Sequence, residues 1–185
     1  MKSIVLACIV VAVTAGDASA QMTMGSFSGY LTGHLGAIGG GSLSAPRLTG
    51  GASVAVHEEN GWGAELDFGL TRDASSGPQF LDIKTYMVNA SWVQPEGLIR
   101  PFGGAGAGIV QIDGCNFPCT RAATTYDFGL SAGGGAFAAL NDVIGFRGDL
   151  RYFWTSADHR DLQRADNFGF WRAAVGVTFM WAVAP

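Results

Sequence analysis

The chain has 185 residues, a formal net charge of −4, 48 % hydrophobic residues and 14 % charged ones, the last well below the roughly 25 % of a soluble domain. That acidity, with Lys84 the only lysine beyond Lys2, argues against a nucleic-acid surface. Past the N-terminal segment no run approaches the roughly 18 apolar residues of a spanning helix, so the apolar side chains must be hidden in another way.

Lys2, an apolar run from Ile4 to Val13, and Ala18, Ser19, Ala20 ahead of Gln21 predict a secretory signal peptide over 1–20. A single domain of 185 − 20 = 165 residues follows, over 21–185. Val5, Leu6 and Ala7 before Cys8 also permit a lipoprotein reading, but cleavage there would leave almost no apolar region ahead of the site. Cys8 departs with the signal, which leaves Cys115 and Cys119 separated by Asn116, Phe117 and Pro118. An even count in an exported chain favours a small loop disulfide; two free thiols are the alternative. A metal site lacks a third or fourth ligand nearby, and no cofactor is implied.

Eight stretches then alternate with period two, the mark of strands. The first, Phe27 to Ala37, sets Leu31, Leu35 and Ala37 against Ser28, Tyr30, Thr32 and His34. The second, Arg47 to His57, sets Leu48, Ala52, Val54 and Val56 against Arg47, Thr49, Ser53 and His57. Asn60 and Gly61 make a tight hairpin turn. The third, Trp62 to Thr71, alternates Trp62, Ala64, Leu66, Phe68 and Leu70 with Gly63, Glu65, Asp67, Gly69 and Thr71. The fourth, Leu81 to Val93, places Tyr86, Val88, Ala90 and Trp92 opposite Met87, Asn89 and Ser91. The fifth, Ile99 to Ile112, has Gly104, Gly106 and Gly108 on one face. The sixth, Tyr126 to Ala138, sets Phe128, Leu130, Ala132 and Ala136 against Asp127, Gly129, Ser131, Gly133 and Gly135. The seventh, Val143 to Thr155, sets Ile144, Phe146, Leu150, Tyr152 and Trp154 against Arg147, Asp149 and Arg151. The eighth, Phe170 to Trp181, sets Trp171, Ala173, Val175, Val177, Phe179 and Trp181 against Arg172, Ala174, Gly176 and Thr178.

Connections near 58–61, 94–97 and 139–142 are short, whereas those near 39–46, 73–80, 113–125 and 156–167 are longer. Short turns on one rim and long loops on the other predict an all-β, eight-stranded antiparallel up-and-down transmembrane barrel with both termini on the short-turn, periplasmic side. All five tryptophans, Trp62, Trp92, Trp154, Trp171 and Trp181, sit near strand ends on the apolar parity. The ten steps from Trp171 to Trp181, tilted about 40°, span roughly 25 Å, the height of a lipid-facing band.

Alternation alone also suits a soluble lipocalin-like barrel with the faces exchanged. Its narrow interior would be overfilled by this aromatic set, and tryptophans at strand ends match a headgroup belt rather than a core. With the apolar face outside, the lumen holds Glu65, Asp67, Asp127 and Asp149 against Arg100, Arg147, Arg151 and Arg172, which predicts a salt-bridged plug. The interior glycines are expected to make room for arginines crossing from the opposite wall. Asp82 and Lys84 fall on the apolar parity, so either they lie above the membrane near lipopolysaccharide or a bulge shifts the register.

Enzymatic chemistry finds little support. His34 and His57 point to the lumen, His159 falls in a loop, and no serine sits two residues from His159 on an outward strand. Glu65 with Asp67 reads as salt-bridge partners rather than an acid and base. The run Gly103 to Gly108 lacks the final glycine and the following helix of a dinucleotide site.

Three segments carry a resemblance. They are Arg100-Pro101-Phe102-Gly103-Gly104-Ala105-Gly106-Ala107-Gly108, Gly133-Gly134-Gly135, and Phe146-Arg147-Gly148-Asp149-Leu150-Arg151-Tyr152-Phe153. On these residues the chain resembles the outer-membrane β-barrel domain family, the small barrels of OmpA and OmpX type. The resemblance covers essentially the whole mature chain and implies the outer membrane of a Gram-negative envelope. The implied partners are outer-membrane lipid and lipopolysaccharide, the barrel-assembly machinery and an unidentified extracellular partner. Such proteins usually end in an aromatic residue, whereas here Ala182 to Pro185 follow Trp181. The expected function is non-enzymatic, structural or interactive, and presented through the outer loops. A narrow channel for ions or very small solutes is the alternative.

Overall fold

A computed structural model describes residues 27–74, 80–115, 122–155 and 168–183. Residues 1–20, expected to be a signal peptide, Cys119 and His159 therefore lie outside the described residues, as does the side chain of Cys115. The eight strands are β1 (Phe27–Gly40), β2 (Leu43–Glu58), β3 (Trp62–Thr71), β4 (Phe80–Val93), β5 (Ile99–Cys115), β6 (Ala122–Ala139), β7 (Ile144–Thr155) and β8 (Phe168–Val183). Each pairs antiparallel with its sequence neighbours, and β8 closes on β1, so the sheet has no edge. Closure satisfies the ladder groups over the height where all eight strands pair, the requirement for a sheet that lies in hydrocarbon.

The register fixes the tilt. Following partners from Thr71 through Thr49, Gly36, Ala174, Asp149, Gly135 and Phe102 reaches Val93. The Val93 amide donates to the Gly61 carbonyl at 2.9 Å. One circuit thus advances 71 − 61 = 10 residues along β3. A stagger of this size tilts the strands by about 40° and leaves a lumen only wide enough for side chains.

The exposed side chains are the apolar ones. Leu35, Leu66, Val88, Phe128, Val175 and Phe179 stand on the outer wall, while Glu65, Asp67, Arg147, Arg151 and Arg172 are buried within. In water such an exterior would be an aggregation surface; in lipid it is the solvated face.

The start of β1, the end of β8 and the turns at 59–61, 94–98 and 140–143 share one rim, called lower below. The upper rim differs from the sequence-based expectation at 39–46. Instead of a long loop, β1 and β2 continue to a two-residue turn, Gly41-Ser42, with Gly40 paired to Leu43. Positive φ at Gly40 and Gly41 gives the turn its hand, a conformation closed to most residues. A register irregularity between Ile38 and Gly40 absorbs the lost alternation, which is why the segment read as a loop. Wall height is uneven: β3 has 10 residues, β5 has 17 and β6 has 18.

Candidate functional site

The interior is layered. Near the lower rim, Tyr30, Ala55, Val93, Phe102, Phe137 and Met180 form one buried apolar cluster. Towards the upper rim, Ile38, Ile83, Val110, Phe153, Phe168 and Phe170 belong to a second. These phenylalanines lie on the charged parity. Phe102 is two residues from Arg100, Phe153 two from Arg151 and Phe170 two from Arg172, and this bracketing of charge by aromatics was the available signal.

Between the clusters lie three arginines and three carboxylates. Arg147 on β7 places Nη1 2.6 Å from Glu65 Oε1 and Nη2 3.0 Å from Asp149 Oδ2. Arg151 places Nη2 2.9 Å from Glu65 Oε2 and 3.4 Å from Asp149 Oδ2. Arg172 donates to both oxygens of Asp67 at 2.8 Å, and its Nη2 lies 3.6 Å from Asp149 Oδ1. Glu65 on β3 faces β7 across the full diameter of the barrel. The charges of the six groups cancel, as burial in a low dielectric demands.

Rings close the set at both ends. The Arg147 guanidinium carbon lies 4.3 Å from the Phe102 centroid and 5.2 Å from that of Phe137, while Arg172 lies 5.0 Å from Phe153. The network is therefore held between two aromatic floors rather than suspended in a channel.

Two residues of the expected network sit elsewhere. Arg100 is separate: near the start of β5 at the lower rim, it donates to the Tyr30 hydroxyl at 3.5 Å and to Met180 Sδ at 3.2 Å. Sequence parity placed it on the right face, but height along the strand keeps it from the central acids. Asp127 is buried on the inner wall of β6, nearer the upper rim.

The glycines correct another expectation. A Cβ at Gly106 would strike Asn89, at Gly108 Met87, and at Gly104 Ser91. They admit the close approach of neighbouring β4, its backbone carbonyls first and its side chains next, rather than arginines from the far wall. Gly69, whose Cβ would sit 3.1 Å from Arg172 Nη1, and Gly133, beside Arg151, do serve arginines.

His57 Nε2 lies 2.9 Å from Ser91 Oγ, a base-to-nucleophile distance. Both groups are buried, Tyr30 packs edge-on against the imidazole at 5.2 Å, and Nδ1 has no hydrogen-bond partner among the described residues. Among the described residues no carboxylate accepts from Nδ1, so the pair lacks the third, orienting group of a catalytic triad. Among the described residues no group of three or more metal-ligating side chains occurs.

The outer wall carries the tryptophans in two tiers. Trp62 pairs directly with Trp92 at the lower rim, where Trp181 lies over Gly29. Trp171 packs on Tyr152 at 4.9 Å near the upper rim, and half-buried Trp154 pairs with Gly169. Lys84 and Asp113 also face outward, 2.7 Å apart. No bulge interrupts β4, since its pairing with β3 runs unbroken from Thr71–Ile83 to Trp62–Trp92. Lys84 stands eight residues above Trp92, roughly 20 Å up a strand tilted by ~40°, hence level with the upper tryptophans.

A closed barrel of this size, apolar outside and ionic within, defines the class of small transmembrane β-barrels. The family model for the outer membrane protein beta-barrel domain matches residues 3–179, and the chain belongs to that family. No curated protein sequence matches it significantly. Among solved structures it is similar to Neisserial surface protein A, with a TM-score of 0.65 and 13 % identity over 84 % of this chain and 97 % of that one. It is also similar to the attachment invasion locus protein Ail of Yersinia pestis, solved with the heparin analogue sucrose octasulfate, with TM-score 0.55 and 19 % identity over 85 % and 100 % of the two chains. The N-terminal barrel of Pseudomonas aeruginosa OprF gives TM-score 0.52 and 15 % identity over 85 % and 98 %. The protein is an eight-stranded barrel of the outer membrane.

Proposed function

We propose that this chain is a sealed, non-enzymatic barrel whose role, structural or interactive, is exercised through the upper-rim connections, expected at 73–80, 113–125 and 156–167 and bounded by the strands as 72–79, 116–121 and 156–167. The supporting observation is the layered interior, in which the central charges cancel and an apolar cluster closes each end. A conducting path would have to cross both clusters, which argues against the narrow channel. In this reading residues 1–20 direct export, Cys115 and Cys119 stiffen the second connection, and the upper rim faces the cell exterior among lipopolysaccharide.

The connection 156–167 carries Arg160 and Arg164 beside Asp158, Asp161 and Asp166, so its chemistry does not favour a polyanionic partner. The test has two arms. Planar bilayers containing the purified barrel should show no conductance steps, and regular steps would overturn the sealed reading. Replacing 156–167 by a short Gly/Ser link should abolish surface adhesion without sensitising the envelope to detergent if the role is interactive; the reverse result marks a structural one.

A further inference from the structure

Most barrel glycines stand against a neighbouring atom, but two face open space. A Cβ added at Gly33 or Gly148 would meet nothing within 4 Å, whereas at Gly36, Gly63 or Gly135 it would collide with backbone. Neither glycine has positive φ, so the backbone does not ask for glycine at either site. Glycine in a strand interior loses stability for want of a side chain to pack, and these two are left without a reason in the fold.

They open into the same place. Both are outward positions, on β1 and β7, and they line one hollow of about 900 Å³ in the outer wall. Leu35, Phe146, Val175 and Val177 rise around it, with Ala136 and Ala138 on the β6 side. Its outward-pointing side chains are all apolar, while His34, Gly51, Arg147 and Gly176, on the inward parity, complete the lining. The register explains the shape: Gly33 stands beside Val177, and Gly148 lies between Val175 and Ala136. The hollow falls between Trp171 and Trp181 of β8, within the band that hydrocarbon covers, and towards its lower half.

We infer that this hollow is a seat for one phospholipid acyl chain of the inner leaflet of the outer membrane. Continuity with the lipid-facing wall supplies the occupant, and the absence of outward polar groups suits a chain rather than a headgroup. A second barrel fits poorly. Symmetric contact would set hollow against hollow around a void, and a ridge-in-hollow contact would not close. Each methylene group moved into contact contributes through burial and dispersion, so one held chain exchanges more slowly than its neighbours.

The experiment uses the full barrel folded in palmitoyl-oleoyl phosphatidylethanolamine vesicles, extracted gently and weighed by native mass spectrometry. Wild type and Ala90→Leu, on the wall opposite β8, should each retain one phospholipid. The paired Gly33→Leu and Gly148→Leu variant should retain at least fivefold less, with the unheated gel shift reporting that all three are folded. Equal retention by all three, no retention by wild type, or a wild-type dimer that the paired variant dissolves would each overturn the inference. Should the paired variant not fold, Gly148→Ala serves instead: reduced retention supports the seat, and unchanged retention refutes it.

Discussion

Arg172 on β8 grips Asp67 on β3 through both terminal guanidinium nitrogens, each 2.8 Å from a carboxylate oxygen, although 105 residues separate them in the chain. This pair joins two walls that share no ladder, and it is the natural place to probe what the interior does for stability. Asp67→Ala alone should cost about 3–5 kcal/mol, because it leaves a buried guanidinium with only the longer 3.6 Å contact to Asp149. Combining Asp67→Leu with Arg172→Met should recover most of that loss. Denaturant unfolding in lipid vesicles measures both, and a double variant no better than the single one would contradict a pairwise role.

Arg147 and Arg100 separate network membership from mere interior position. Arg147 contacts two acids and two rings, whereas Arg100 contacts a hydroxyl and a thioether. Arg147→Ala should therefore destabilise the barrel by about 2 kcal/mol more than Arg100→Ala. Equal midpoints in the same unfolding series would place Arg100 in the network after all.

The two apolar floors predict a pattern of leakage. Phe153→Ala with Phe170→Ala, or Phe102→Ala with Phe137→Ala, should leave bilayers silent, because the other floor remains. Only the fourfold variant should show small steps. Conductance from either double variant would mean that one floor does the sealing.

Lipid depth follows from the tilt. Val175→Arg, between the tryptophan tiers, should cost about 2–4 kcal/mol, against about 0–1 for Gln111→Arg level with Lys84. Comparable costs from reversible folding into vesicles would displace the lipid band.

Above that band, Asp113 feels burial, which pushes its carboxyl up, and hydrogen bonds from Lys84, Gln111 and Thr124, which outweigh burial and hold it below the usual 3.8. A depressed carboxyl contributes stability above its unfolded value and loses it as pH falls through the folded one. Lys84, raised above 10.5 chiefly by its hydrogen bond to Asp113, loses its contribution as pH rises through that raised value. Amide exchange at the upper ends of β4 and β5 should thus quicken in acid below the ordinary carboxylate value. Asp113→Asn should already show the faster exchange at neutral pH; identical profiles for variant and wild type would refute the link.

The outward wall was legible because lipid demands an apolar residue at every second position over long runs, as in Trp62 to Leu70. The interior was legible only in part. Parity assigns Phe102, Phe137, Phe153 and Phe170 to the same face as the arginines, but their stacking into two layers depends on the ten-residue stagger, which emerges only when eight strands close. The turn at Gly41-Ser42 was hidden for a local reason: Gly39, Gly40 and Gly41 carry no side chains to alternate.

The unequal strands also have a consequence outside the barrel. Where β5 and β6 run on to Cys115 and from Ala122, the wall stands higher than at the two-residue turn between β1 and β2. Among the described residues the rim is thus cut on a slant, like a quill. Taken over the described strand ends, the barrel has a low side at β1–β2 and a high side at β5–β6, so its two flanks are not equivalent.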